Sequence, residues 1–240
     1  MKHAPIGCRD KYTLDLLKKK GVSAFFTGYL TLTLGKKYKR EKIEKTIYFV
    51  DPYFKYSKDI IRLFDYFKIL IGNYDKIQQI SMKLYGEISL KALIISSAFY
   101  KCYSKIFTDD VLISAEYIRH DIENDKIVGD DMKFDYAEKL LIQYSSARYI
   151  VTSRIHCALP CLGIGTPVLY VENQQQAEIS SCRLDGLVDL FHVIKCDGDE
   201  LFYNDLRDKI SASYIFNNKN NHIELAEKLN KLCASFVSPD

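Results

Sequence analysis

The chain has 240 residues, 48% of them hydrophobic and 27% charged, and 34 basic against 31 acidic side chains give a formal charge of +3. That balance is too mild to point to a nucleic-acid partner, no apolar run reaches the length that spans a bilayer, and the N-terminus lacks a signal peptide's apolar core. Seven cysteines, an odd number without paired spacing, suit a reducing cytosol better than a disulfide framework.

The opening, PIGCRD, predicts a strand end and a turn over Gly7–Asp10, followed by a helix closed by Gly21. Asp10 is placed to cap that helix, and Leu14, Leu16 and Leu17 supply its apolar side. Ser23–Leu34 carries alternation suited to a strand or two short ones. The basic, polar run that follows, GKKYKREKIEK, reads as a solvated linker, with a phosphate- or nucleic-acid-binding role as the lesser alternative. It is the best boundary in the chain and divides residues 1–35 from 46–240, with 36–45 as the linker. PIGCRD needs a flanking strand, yet few residues precede it, so residues 1–35 read as the remnant or end of an N-terminal lobe.

Thr46–Val50 is a predicted strand stopped by Asp51-Pro52. A helix is expected from Ser57 through about Ile71, and Tyr74–Tyr103 is mostly helical in pattern, with Ser89–Ser104 its clearest piece. Val111–Ile118 reads as a strand with Arg119-His120-Asp121 at its end, and Phe134–Ser146 as a helix whose apolar face holds Tyr136, Leu140, Leu141 and Tyr144. Tyr149–Val151 and Val168–Val171 are apolar along their whole length, as strands buried on both faces are. One helix, Ile155 to about Leu162, and a Gly163-Ile164-Gly165 turn complete a βαβ crossover between them. A polar loop, Glu172–Glu178, the segment SCRLDGLVDLFHVI and an amphipathic helix from about Ile223 to Phe236 close the chain. Strands alternating with helices from residue 46 onward indicate an α/β layer, a Rossmann-like parallel sheet flanked by helices.

Within that frame Arg154 and His156 fall where a strand ends and a helix begins, the place where open parallel sheets bind ligands and where helix N-termini attract anions. An arginine fork there suits a carboxylate or a phosphate. Arg9 reads either as a second anion ligand or as half of an Arg-Asp pair closing a helix start. His120 reads as a further ligand or a solvated loop histidine, and Arg183 as facing the same cleft or forming a surface salt bridge. Gly163 and Gly165 fit a helix stop and turn better than a phosphate cradle, since neither GxGxxG nor a Walker pattern is present. Glu172–Glu178 carries carboxylates and amides that could hydrogen-bond a sugar, although a solvated loop is the preferred reading. Cys157 and Cys161, four apart on one predicted helix, read as packing residues; with no second Cys/His pair at ligand spacing, no metal is expected. The tyrosines fall mostly at helical spacing, as Tyr100, Tyr103, Tyr136 and Tyr144 do, and read as packing rather than sugar-stacking groups. His3, His192 and His222 receive no role.

PIGCRDKYTLDLLKKKGVSAFFTGYLTLTL, ISAEYIRH, AEKLLIQYSSARYIVTSRIHCALPCLGIGTPVLYV and SCRLDGLVDLFHV together resemble the polysaccharide pyruvyl transferase family. The resemblance runs discontinuously to about residue 195, and Arg154-x-His156 followed by a small-residue helix and a Gly-x-Pro strand is its most specific part. It implies the C-terminal lobe of a two-lobed, B-type glycosyltransferase-like fold. It also implies transfer of a pyruvyl group from phosphoenolpyruvate, a substrate and not a cofactor, onto two hydroxyls of a saccharide or lipid-linked saccharide. By the same resemblance Arg154 and His156 contact the donor, as anion clamp and as acid/base or phosphate ligand. Two departures stand out: most of the N-terminal lobe is missing, and Tyr29 stands where the family often has cysteine. The implied setting is cytoplasmic, without nucleic acid or direct membrane insertion, and peripheral to a membrane only through partners. Two competing readings are a sugar-nucleotide glycosyltransferase of the same fold and a non-catalytic fragment whose missing lobe a partner chain or oligomer completes.

Overall fold

The computed structural model describes residues 4–120, 129–173, 182–197, 200–203 and 208–237. Its centre is a six-stranded sheet built from β3 (Ile47–Val50), β4 (Glu116–Ile118), β5 (Tyr149–Thr152), β6 (Val168–Asn173), β7 (His192–Asp197) and β8 (Glu200–Phe202), in the spatial order β4-β3-β5-β6-β7-β8. All neighbours are parallel except β7 and β8. A separate parallel pair, β1 (Ile6–Cys8) and β2 (Ala24–Phe26), precedes it in the chain. The fold is the Rossmann-like α/β arrangement that the strand–helix alternation predicts.

Every residue of β3 and β5 is buried, which is why both read as unbroken apolar runs. Alternate side chains feed two cores. Ile47, Phe49, Tyr149 and Val151 face α2 (Ile60–Gly72), α3 (Tyr74–Tyr85), α4 (Leu90–Tyr103) and α5 (Asp109–Ser114). Tyr48, Val50, Ile150 and Tyr170 face the opposite layer, where α6 (Asp130–Ser146) and α7 (Ile155–Ile164) lie. Phe49 is fully buried, with the rings of Phe99, Tyr103, Phe107 and Tyr117 centred 5.2–6.0 Å from its own. The chain closes with α8 (Asn221–Val237), whose Leu225 and Ala226 pack against the α7 core.

Topology fixes where a ligand would sit. β3 is flanked by β4 on one side and β5 on the other, so the order reverses between β3 and β5, and a crevice opens at the carboxyl ends of these strands. Val50 is level with Ile118 across one edge and with Thr152 across the other. Asp51, Arg119 and Ser153 therefore leave the sheet side by side.

Four expectations change. Ser23–Leu34 is not strand throughout: β2 ends at Phe26, Gly28 turns the chain at φ +69°, and Leu30–Lys36 forms a 3-10 helix. The Leu30/Leu32/Leu34 alternation buries only Leu32, which joins the α7 core. Val111–Ile118 is α5 followed by the short β4, because Asp109 and Asp110 favour a helix N-terminus and Val111 and Leu112 are buried as neighbours on one helical turn. Gly163 does not stop its helix; Gly165 does, as a left-handed cap at φ +93°. Gly163 lies inside α7 because the 3-10 helix crosses there: a Cβ on it would meet the Thr31 carbonyl oxygen at 2.5 Å and Leu32 Cα at 2.8 Å. Leu16 is exposed, so α1 (Lys11–Lys19) buries no side chain fully and lies on the surface. Its Asp10 cap is present, with Oδ1 accepting from Thr13 N at 2.7 Å.

Candidate active site

The site grows from three strand ends. After β5, Thr152 Oγ1 accepts from Arg154 N at 3.0 Å, which turns the chain so that Arg154 becomes the N-cap of α7. Its carbonyl accepts the first intrahelical bonds, from Cys157 N and Ala158 N. Ile155 and His156 are then in the first turn, where backbone N–H groups point outward without an intrahelical acceptor. Arg154 and His156 stay exposed, while Cys157 and Cys161 are buried in the core behind them, as packing residues should be.

Two segments distant in sequence close over this turn. Lys11 N donates to Asp185 O at 3.1 Å and ties the start of α1 to the turn that carries Arg183. The 3-10 helix docked on α7 presents Tyr29 to His156, with ring centroids 5.9 Å apart in an edge-to-face arrangement, and the Arg9 guanidinium lies 5.4 Å from the Tyr29 ring centre. The result is a cleft of about 370 Å³ onto which Arg9, Tyr29, Arg154, His156, Tyr170 and Arg183 face. Three guanidiniums and an imidazole thus meet at one surface. Arg9 also lies 3.7 Å from Asp10, the Arg-Asp pair at the helix start that one of its sequence readings expected. Arg183 has no ion-pair partner among the described residues. Burial raises the Tyr170 phenol to about 12 and keeps it neutral beside the cations.

His120 sits elsewhere. It follows β4, and its ring lies between Asp51 and Tyr144: Nδ1 is 2.8 Å from Asp51 Oδ2, and Nε2 is 3.2 Å from the Tyr144 hydroxyl. It reaches the cleft only through Asp51, whose Oδ2 also accepts from Arg154 Nε at 3.1 Å. Burial alone would raise the Asp51 carboxyl, but hydrogen bonds from the His120 ring and backbone, with the charges of His120 and Arg154, hold it below the usual carboxylate range. The Tyr144 phenol is pushed strongly upward by burial and stays protonated. With Asp51 ionised, His120 Nδ1 carries a proton and donates to Oδ2, while the Tyr144 hydroxyl holds the ring at Nε2.

A second cleft, of about 430 Å³, opens on the other side of Arg154 and shares it and Ser153 with the first; Asp51, Tyr53, Phe54 and Tyr85 line it. A larger one, of about 690 Å³, touches Glu172, Asn173, Asp189 and Lys195, beside the polar loop singled out in the sequence. Residues 174–178 of that loop, and His3 and Asp121, lie outside the described residues. His192 donates through Nε2 to the Asn217 carbonyl at 2.9 Å, and the buried His222 ring donates through Nδ1 to the Lys219 carbonyl at 2.7 Å, both away from the cleft.

Sequence reasoning missed Asp51, taken only as a strand stop, and gave Tyr29 and Tyr144 no part in the site. The available signal was positional: Asp51 ends an apolar, doubly buried strand of a parallel sheet, as Arg154 nearly does.

The sequence model of the family described as polysaccharide pyruvyl transferase matches residues 1–175, which include Arg9, Asp51, His120, Arg154 and His156. No curated protein and no solved structure matches the chain.

Proposed function

Because the chain belongs to the polysaccharide pyruvyl transferase family, we propose that it moves a pyruvyl group from phosphoenolpyruvate onto two hydroxyls of a saccharide, with release of inorganic phosphate. One observation supports this above the others: Arg9, Arg154, Arg183 and His156, from three separate stretches of chain, converge on one cleft at the sheet's switch point. The donor carries a carboxylate and a phosphate, and a cluster of guanidiniums is what such a pair of anions requires.

The chemistry assigns the groups as follows. A proton goes to the donor's methylene carbon, converting it to methyl and leaving an oxocarbenium-like centre at C2. One sugar oxygen bonds to C2 and loses its proton. The C2–O bond to phosphate breaks, and the second sugar oxygen closes the ketal as its proton departs. Two hydroxyl protons are lost, one offsetting that taken by the methylene and the other leaving with phosphate. Imidazole is the side chain in the cleft whose chemistry suits both giving and taking a proton, and we assign His156 the proton transfer. Arg154 is the anion clamp, with Arg9 and Arg183 balancing the donor's remaining charge.

Calorimetric titration of the protein with phosphoenolpyruvate tests the reading, with a UDP-sugar as the control for a nucleotide donor. Arg154→Ala should weaken the donor by at least about tenfold. A folded Arg154→Ala protein with full affinity for phosphoenolpyruvate, or saturable binding of the UDP-sugar alone, would overturn it. His156→Ala should lower turnover more than donor affinity; equal losses would reduce it to a ligand.

A further inference from the structure

We propose that Asp51 is a positioning residue: its carboxylate, anchored by His120, fixes the Arg154 guanidinium through Nε and leaves both terminal nitrogens for the bound anion. The proposal rests on the anion-site reading above and adds to it two residues that act through a third.

The geometry carries it. Asp51 Oδ1 accepts from His120 N at 3.1 Å, and Oδ2 is shared between His120 Nδ1 and Arg154 Nε. The Asp51 side chain is only 11% exposed, whereas that of Arg154 is 57% exposed. A buried, hydrogen-bonded anion therefore holds the base of an exposed cation whose tip reaches the cleft. The backbone of Asp51 is fixed from both neighbouring strands: its N donates to Ile118 O at 2.9 Å, and its carbonyl accepts from Ser153 Oγ at 2.5 Å. At φ +42° it is the only non-glycine residue in the left-handed region among the described residues. Such a conformation has an energetic cost and persists where the surroundings impose it, typically at functional sites.

His120 cannot serve the substrate as the sequence suggested, because both ring nitrogens are engaged within the protein. With the Tyr144 hydroxyl bonded at Nε2, the Nδ1 proton points at Asp51, and His120 acts as the anchor of that carboxylate. Removing Asp51 frees the Arg154 side chain to sample other rotamers, and anion binding must then order it again. The loss should appear in affinity.

The test is a mutant cycle read in two ways: calorimetric titration with phosphoenolpyruvate and, separately, inorganic phosphate, and the Arg154 Nε–H resonance in nitrogen-edited spectra, identified by its loss in Arg154→Ala. Asp51→Asn, which keeps the size of the side chain, should shift and broaden that resonance and weaken both anions about tenfold. In the Arg154→Ala background the same change should cost nothing further. His120→Asn should retain most of the affinity that His120→Ala loses, since the amide N–H can stand where Nδ1–H stands; a merely structural histidine would show no such rescue. Additive losses in the double variant, or an unchanged Nε–H resonance in Asp51→Asn, would overturn the proposal. Phosphate binding without phosphoenolpyruvate binding would sink the pyruvyl reading while the cycle on phosphate still judged Asp51. Binding of neither anion to the unaltered protein would overturn both.

Discussion

The depressed carboxyl of Asp51 has a consequence for stability whose sign follows from proton linkage. The folded protein holds this group ionised to lower pH than the unfolded chain does, so the unfolded state takes up the proton first. The stabilisation is complete above the ordinary aspartate range and is lost as pH falls through the folded value. Thermal melts between pH 5 and pH 3, conditions centred on the ordinary value of about 3.9, should show a shallower acid decline for Asp51→Asn than for the unaltered protein. Parallel curves would deny Asp51 that role. At this scale the sequence placed Arg154, His156, Arg9 and Arg183 beside strand ends and turns, and the structure brings all four to one cleft. The sequence concealed Asp51 because Asp-Pro is also an ordinary strand stop, and it concealed what His120 touches because that depends on β3 and β4 lying in register.

Among the elements, the contact between α7 and the 3-10 helix Leu30–Lys36 governs whether the cleft closes. Gly163 permits it, and the atoms an added Cβ would strike are backbone, which cannot rotate away. Gly163→Ala should destabilise the protein by about 1–3 kcal/mol through overpacking, measurable by denaturant unfolding. It should also weaken anion binding, since Tyr29 and the cleft edge near His156 ride on the displaced segment. Unchanged stability would mean that the two helices separate freely. The helix α7 and strands β5 and β6 were legible because their apolar runs and Gly165 stop agree with one another. The 3-10 helix was not, because its alternating leucines imitate a strand and only the crossing with Gly163 reveals its packing. Val111–Ile118 failed for a related reason: eight residues, β-branched and apolar at both ends, leave helix and strand equally open until a partner strand is seen to pair with only three of them.

For the molecule as a whole, acid sensitivity extends beyond one carboxyl. Asp109 and Asp110 are also held below the usual range, the first chiefly by the hydrogen bond from Lys76 and the second by that from Thr108. Burial lowers the His222 ring below its ordinary value. A lowered histidine stabilises the folded protein above the ordinary range, about 6.5, and that contribution is lost as pH falls through the folded value. Stability should thus decline in two stages, first as pH falls below the ordinary histidine range through His222 and then as it falls below the ordinary aspartate range through the carboxyls. His222→Gln should remove the first stage in denaturant midpoints measured across pH; a first stage of unchanged size would place it elsewhere. The fold class was legible at this scale because alternating strand and helix signals add up along the chain, whereas the β4-β3-β5 order was not, since nothing local says on which side of β3 a later strand docks. That order also has a history in time. β3 is the earliest-made strand of the large sheet, yet its two neighbours begin at Glu116 and Tyr149. As the chain emerges, Ile47–Val50, an apolar segment buried along its whole length in the finished protein, waits with both edges unpaired until Glu116–Ile118 has been made, and with one edge unpaired until Tyr149–Thr152 follows. The strand that leads into Asp51 is therefore exposed to wrong pairing during synthesis, and the cleft beside Arg154 forms only once that interval has passed.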